Sequence, residues 1–493
     1  MNIYHNDKEE NQDILYDPKR WGLPVEAISS LGKRLREFWM RFRLCFKTCT
    51  RDTSECAYDY LRGQLTMDTN RNFANIARKT TGYDGQALQH FISSSPWSGQ
   101  KVFEQIQEEI KQTKSLAQGG VLILDESADE KAGTHSAGAS RQYNGRQGKV
   151  DLCQVSTCLA YANGRLWTLV DGELFLPQEW FDDQQAQKRL ELGIPKNRKF
   201  QKKTELGLQM IKRVKENGLP FDLLAVDGFY GQDSQFRADL ETQQVLYAAQ
   251  IPSDTRVYLS EPRVDVPKKR CKKGRKPKRL KVLSRHKPRE VRQLAQDPKT
   301  QFEPVRIRYT ERAWLEADFT VVRVWTVAQG KKARAEWLVI RRESDGNCSY
   351  TLLNGSQQTP KQELIAHSCR RYFVERTFED GKTDLGWDEF QAQKYRAWEH
   401  HLALTSLSLW FVAQTKLEWE EVYKRDPKLA HELEIEVLPA LSTANVRELL
   451  KAVLPLPQLT PQQATRLVIQ HLVNRSRSTK SRAKSQMETH NSS

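Results

Sequence analysis

The stretch GGVLILDESADEKAG, residues 119–133, runs four apolar residues, Val121 to Leu124, straight into Asp125. A second stretch, FDLLAVDGFYG (221–231), repeats the pattern, with Leu223 to Val226 feeding Asp227. A short continuous apolar run bounded by turn residues is how a strand buried on both faces reads. Two such strands, each delivering a bare carboxylate at the same end, point to a shared metal. A third ligand must then come from elsewhere in the chain.

The neighbouring segments fix the class of sheet. LCQVSTCLAY and LWTLVDGELFL flank the turn ANGR (162–165) and predict a hairpin. TELGLQMIKRVKENGLP predicts an amphipathic helix closed by Gly218 and Pro220. LLAVD, DSQFRADLETQ and VLYAAQI follow as strand, helix and strand. Antiparallel strands followed by strands alternating with helices make a mixed α/β sheet.

Upstream, the first hundred residues read as helical. LGKRLREFWMRFRLCFK (31–47) sets Leu31, Leu35, Phe38, Trp39, Phe42 and Phe46 at helical spacing, with Arg and Lys between them. SSSPW starts the last helix of this region. Short basic helices joined by turns suit a DNA-reading module, although small helical domains with other roles are common. Downstream, KKRCKKGRKPKRLK (268–281) holds ten Lys or Arg in fourteen residues and no periodic apolar face. It reads as an exposed loop able to contact phosphates, or simply as a solvated charge run. FTVVRVWTVAQGKKARAEWLVIRRESDGNCSYTLLN then predicts three strands with turns at QGKK and SDGN. From Pro360 to about 475 the pattern is helical, and the Ser- and Lys-rich tail has a disordered composition.

The bulk composition narrows the function. The chain has 493 residues, room for roughly three domains, and 38% of them are hydrophobic. No apolar run approaches the ~20 residues of a membrane span, and the polar N-terminus has no signal-like apolar region, so a cytoplasmic protein is expected. The eight cysteines are scattered; Cys45-x3-Cys49-x6-Cys56 lacks a His partner at zinc-finger spacing, so free thiols are expected. A net charge of +16 favours a polyanionic partner, nucleic acid before an anionic membrane surface. A merely basic soluble protein is the alternative that charge alone leaves open.

A candidate third carboxylate lies in PKQELIAHSCRRYFVERTFEDGK, which begins at Pro360. At about 100° per residue, with Arg371 as zero, Glu375 falls at about 40°, Lys382 at about 20° and Ser368 at about 60°. Arg, Glu and Lys therefore share one stripe if the helix is continuous. Such a face suits a site holding metal and phosphate together. On spacing alone, an ordinary solvent-facing i,i+4 Arg–Glu pair is the better reading.

With these motifs in place, the chain resembles the bacterial insertion-sequence transposases of the DDE type, in the branch whose catalytic domain is split by a β-rich insertion. That branch carries Tyr-x2-Arg-x3-Glu-x6-Lys on its last catalytic helix. This chain has Arg371-x3-Glu375-x6-Lys382 in register, with Ser368 in place of the Tyr. DESADEKAGTHSAGASRQYNGRQGK (125–149), AVDGFYG, LPQEW and the N-terminal YLRG…LQHFISSSPW also match, so the similarity covers most of residues 55–415. It implies an RNase H-like mixed sheet with helices, split by the insertion and flanked by helical N- and C-terminal regions. The expected parts are a helical DNA-binding region (1–100), the first part of the catalytic domain (101–250), the β-rich insertion with its basic loop 268–281 (251–359), the last catalytic helices carrying Glu375 (360–415), a helical C-terminal region (416–475) and a disordered tail (476–493).

The resemblance also implies chemistry. Asp125, Asp227 and Glu375 are the catalytic metal ligands, hard oxygen donors suited to two Mg2+ ions, with Mn2+ as a substitute. Two such ions clamp the entering and leaving oxygens of a phosphodiester displacement. Arg371 and Lys382 hold phosphates. Trp314, Trp325 and Trp337 are candidates to receive a flipped base, or are plain strand residues. Arg141, Tyr143, Arg146 and Lys149 lie in or near a turn able to touch DNA. His135 and His401 read as a loop or core histidine rather than as catalysts. The implied activity is cut-and-paste transposition by a homodimer on double-stranded DNA, at terminal inverted repeats and a target. A catalytically silent DNA-binding relative and a metal-dependent nuclease without strand transfer are the alternatives.

Overall fold

A computed structural model of the chain describes residues 14–81, 85–267, 278–309 and 314–455, with a few positions between 460 and 473. The core of the basic run, 268–277, and the tail lie outside the described residues.

The apolar runs form strands as their pattern predicts. β1 (Val121–Glu130), β2 (Ser140–Asn144), β3 (Lys149–Asn163), β4 (Leu166–Phe175), β5 (Leu223–Val226) and β6 (Tyr247–Ile251) belong to one sheet. β7 (Glu303–Tyr309), β8 (Trp314–Val327), β9 (Ala333–Arg342) and β10 (Cys348–Leu353) complete it. The order is β7-β8-β9-β10-β6-β5-β1-β3-β2, and β4 also pairs with β3. β1 is antiparallel to β3 and parallel to β5, and β5 is parallel to β6. This is the mixed α/β sheet expected from the sequence. The hairpin between β3 and β4 turns at Gly164, whose φ of +59° lies in the left-handed region that glycine enters without steric cost.

The segment after β6 does not stand apart. β10 adds antiparallel to β6, and β9, β8 and β7 extend the same sheet. The sequence reading found three of these four strands. β7, EPVRIRY, is an edge strand whose charged residues and Pro304 hide its alternation. Two core clusters follow from this layout. The larger runs from Leu31 through Leu122 and Leu224 to Trp410, so the N-terminal helices share one core with the sheet. The smaller packs Val324, Leu338, Ile340 and Leu352 of the extension under Val257, Val291 and Leu294.

Helices α1 (Leu31–Phe42), α2 (Ser54–Thr66), α3 (Phe73–Thr80), α4 (Gln86–Ser93) and α5 (Gly99–Gln112) precede β1. The six residues read at helical spacing, Leu31, Leu35, Phe38, Trp39, Phe42 and Phe46, are all buried, whereas Met40 and Leu44 are exposed. α6 (Lys203–Glu216) and α7 (Ser234–Thr242) flank β5 in sequence. The C-terminal part brings α8 (Lys361–Ser368), α9 (Tyr372–Glu379), α10 (Tyr395–Val422) and α11 (Thr443–Val453). α10 is apolar on nearly all sides and is correspondingly buried along most of its 28 residues. His401 sits inside it, within 2.9 Å of both the Tyr60 hydroxyl and the Trp387 carbonyl.

The helical stretch that begins after Pro360 does not meet the condition of continuity and is broken twice. After α8 the chain tightens: the N–H groups of Cys369, Arg370 and Val374 each reach back three residues, to Ala366, His367 and Arg371. After α9 it widens into a π turn over Asp380–Asp384, with Leu385 N–H on the Asp380 carbonyl at 3.2 Å. π turns of this kind often accompany functional sites. The buried Asp380 carboxylate pins the turn by accepting from Trp167 Nε1 and from the Thr443 hydroxyl, both at 2.8 Å.

The seam between the central strands and the extension is ionic. Glu336 on β9 is fully buried, pairs with Arg237 of α7 at 3.0 Å and Arg334 at 3.5 Å, and accepts from the hydroxyls of Tyr247 (2.6 Å) and Thr326. Removing one partner of such a group strands the other charge in the core. Glu336→Ala should therefore lower stability by about 3–5 kcal/mol in urea unfolding. A wild-type midpoint would show that the buried pair does not hold the seam.

Candidate catalytic site

β1 lies between an antiparallel and a parallel neighbour, and β5 ends opposite its middle. Leu124 is level with Val226, so Asp125 and Asp227 are the next residues of adjacent strands at the point where β5 stops. Asp227 caps the short helix Gly228–Gly231 and accepts the N–H groups of Phe229 (3.1 Å) and Tyr230 (3.2 Å). Only glycine fits at 231, because a Cβ there would come within 1.8 Å of the Gln250 carbonyl oxygen on β6. That close approach presses the capped turn against the sheet and fixes where Asp227 points.

Glu375 comes from the first turn of α9, which packs across β1, β3 and β4. Arg371, the residue before this helix, joins the parts. Its guanidinium donates to Asp125 Oδ2 at 2.7 Å and also to Glu375 Oε1. One side chain thus spans two of the three expected carboxylates. Among the described residues, no three His, Cys, Asp or Glu side chains are gathered closely enough to hold an ion, which agrees with a guanidinium standing between Asp125 and Glu375.

The pair of aspartates is electrostatically strained. Burial and then the charge of Asp227 push the Asp125 carboxyl up to about 7, against the pull of Arg371. Burial also raises Asp227, opposed by its two backbone N–H donors and by Arg371. Beside them Glu126 is raised by burial and opposed by Lys203 of α6, with which it is paired. Buried carboxylates gathered in this way, with Asp125 and Glu126 each already paired to a cationic side chain, offer the hard oxygen donors that a divalent ion prefers.

The remaining expected residues are distributed more widely. Lys382 sits in the π turn, nearly buried, with Nζ 2.8 Å from the Ala128 carbonyl and 3.1 Å from Asp129. The turn therefore breaks the stripe drawn for a continuous helix and directs Lys382 to the later part of β1. Arg141, Tyr143, Arg146 and Lys149 are exposed on and around the β2–β3 hairpin, where Tyr143 lies opposite Val150. Asp125 pairs with Cys158, and the hairpin begins at Cys153. That is roughly 17 Å farther along the strand. Trp325 is half-buried on β8, five strands from β1, and its backbone pairs with Tyr258. Trp337 donates to the Ser356 carbonyl (2.9 Å) and Trp314 to Glu436 (2.8 Å).

Two features escaped the sequence reading. The contact from Arg371 to Asp125 joins residues 246 positions apart. Arg308 of β7 stacks over the Tyr372 ring at 3.7 Å, which brings the edge of the extension back to the start of α9. No local pattern announces either.

A family model described as DDE superfamily endonuclease matches residues 41–313, which include Asp125 and Asp227 and end before Glu375. A probable transposase for insertion sequence element IS701 from Microchaete diplosiphon is 29% identical over 206 residues, 41% of this chain and 50% of that protein. The chain thus spans about half the length of this curated relative. Among solved structures, the cryo-EM structure of a piggyBac transposase synaptic complex with hairpin DNA aligns over 92% of this chain and 85% of that one. The TM-score is 0.37 and the identity 10%, a loose likeness.

The raised carboxyl at Asp125 has a measurable sign. A folded-state value of about 7 against an ordinary 3.8 means that stability is greatest below the ordinary value and is lost as pH rises through about 7. Asp125→Asn cannot ionise. In metal-free urea unfolding, its stability relative to wild type should be higher at pH 8 than at pH 5. A difference that does not change with pH would contradict the strained pair.

Proposed function

The chain belongs to the DDE superfamily endonucleases, and from that premise we propose that it is a DNA transposase that cuts and rejoins DNA by metal-dependent phosphodiester chemistry. The observation that carries the proposal is the meeting of Asp125 and Asp227 where β5 ends opposite the middle of β1, with Arg371 tying Asp125 to Glu375. The central strand order β4-β3-β1-β5-β6, antiparallel and then parallel, supports an RNase H-like catalytic sheet extended at one edge by an insertion.

Asp125, Asp227 and Glu375 are the proposed ligands of two Mg2+ ions, for which Mn2+ would serve. Held by these three carboxylates, two such ions would supply Lewis-acid activation of an attacking oxygen and charge stabilisation of a departing one. The protein's own part is positional. Arg371 has a planar fork that matches phosphate as well as carboxylate. In the DNA-free protein it neutralises Asp125 and Glu375; with DNA present it turns to the phosphate beside the scissile bond. Lys382 can reach DNA only by leaving Asp129, so its first role is to steady the end of β1. Arg141, Tyr143 and Lys149 supply exposed backbone contacts away from the cut. Trp325 offers a half-buried ring on the extension.

The proposed substrates are the terminal inverted repeats of an insertion sequence and a target duplex, handled by a homodimer in the cytoplasm. The helical region 1–100 would read the ends. A net charge of +16 supports a DNA partner through release of counterions. No helix among the described residues is long and apolar enough to cross a membrane.

The test uses the full chain, Mg2+, and linear DNA bearing the inverted repeats that bracket its reading frame. Wild type should cut at the repeat ends and join them to target DNA. Asp125→Ala, Asp227→Ala and Glu375→Ala should each lose about a thousandfold in cleavage while still binding the ends. Equal cleavage by wild type and Asp125→Ala would overturn the site. Cutting without joined products would reduce the activity to that of a nuclease, and end binding without cutting under either metal would indicate a silent relative.

A further inference from the structure

The turn between β3 and β4 lies beside the start of β1, where Val121 pairs with Ala162, four residues along the strand from Asp125. There the turn meets the C-terminal end of α10 around a cavity of about 170 Å³. Its walls include Trp21 and Gly22, Arg165 of the turn, and Trp419, Glu420 and Arg425. At about 30 Å³ per water, the space would take a five-atom tetrahedral ion with water beside it.

The charged side chains that line this space are Arg165, Arg425 and Glu420. Trp419 is 1% exposed, and its indole N–H is buried without an acceptor. Arg425 donates to the Pro439 carbonyl at 2.5 Å. Among the described residues, neither Arg425 nor Arg165 is ion-paired. Burial lowers the Arg425 guanidinium from its ordinary value; Glu420 opposes that shift and the nearby charge of Arg165 adds to it. Two cations against one carboxylate leave the cavity with net positive charge. An apolar occupant would leave the charges and the indole N–H unsatisfied, and a metal cation would be repelled.

The walls are firmly held. Arg20 bridges Asp426 at 2.8 Å and Glu432 at 2.6 Å, and its carbonyl accepts the Asp426 N–H at 2.8 Å. Gly22, with φ +69°, lies so close that a Cβ would come within 2.6 Å of the Tyr423 carbonyl oxygen. The N-terminal stretch is thereby clamped on the end of α10.

We propose that this cavity is a binding site for a phosphoryl anion, held by Arg165, Arg425 and the indole N–H of Trp419. The anion is either free inorganic phosphate or a backbone phosphate of bound DNA. The site is separate from the carboxylate site and does not depend on the proposed catalysis.

Calorimetric titration of the metal-free full chain with inorganic phosphate tests this. Wild type should bind saturably. Arg165→Gln, a change in an exposed turn, should weaken binding about tenfold through loss of a charge-assisted contact. Trp419→Phe keeps an aromatic ring at this position but removes the indole N–H along with the five-membered ring, and should weaken it about fivefold. Competitive displacement of phosphate by a duplex of unrelated sequence would assign the site to the DNA backbone; independent binding of both would assign it to the free anion. Absence of saturable binding in wild type, or wild-type affinity in both Arg165→Gln and Trp419→Phe, overturns the proposal.

Discussion

Two carboxylates on neighbouring buried strands, Asp125 within β1 and Asp227 just past the end of β5, repel each other, and the protein must supply positive charge to keep them there. In this structure Arg371 supplies it, reaching Asp125 with one arm and Glu375 with the other. The helix that carries Glu375 is therefore tied to the sheet at the same point where charge is most concentrated. The surrounding structure serves that point. Gly231 lets the capped turn of Asp227 press against β6. Asp380 anchors the π turn behind α9, and Lys382 fastens that turn to Asp129 on β1.

Under the proposed function, the same arrangement would let a guanidinium and divalent ions share one set of ligands. Asp125 is disfavoured as an anion by burial and by Asp227, so any cation that relieves it is bound with advantage. Arg371 is the cation built into the chain. It is also the side chain best shaped to exchange a carboxylate for a phosphate, since both present two oxygens to its fork. Under the proposed function, arrival of DNA and metal moves Arg371 from one oxygen pair to another without leaving any charge unpaired.

Much of this was legible in the sequence. The apolar runs before Asp125 and Asp227 identified both strands, because a strand buried on two faces cannot alternate. The Arg371–Glu375 pair was visible as i,i+4 spacing, but its reach to Asp125 was not, since strand and helix meet only in the folded chain. Lys382 was assigned to the same stripe on the premise of a continuous helix. The tight turn at Cys369 and the π turn at Asp380 break that premise, and both depend on tertiary partners such as Trp167 and Thr443. β7 was missed because an edge strand with charged residues lacks the pattern that marks a buried one. That the extension continues the sheet was equally hidden, because β10 finds β6 only after about a hundred intervening residues.

The central claim is that Asp125, Asp227 and Glu375 close around divalent ions once Arg371 yields. Electron paramagnetic resonance titration of Mn2+ into the DNA-free chain addresses it directly. Substituting Arg371 by Ala should tighten Mn2+ binding relative to wild type, and adding Glu375→Ala to that variant should weaken it again. Identical Mn2+ binding with and without the Glu375 carboxylate in the Arg371→Ala background would contradict the account.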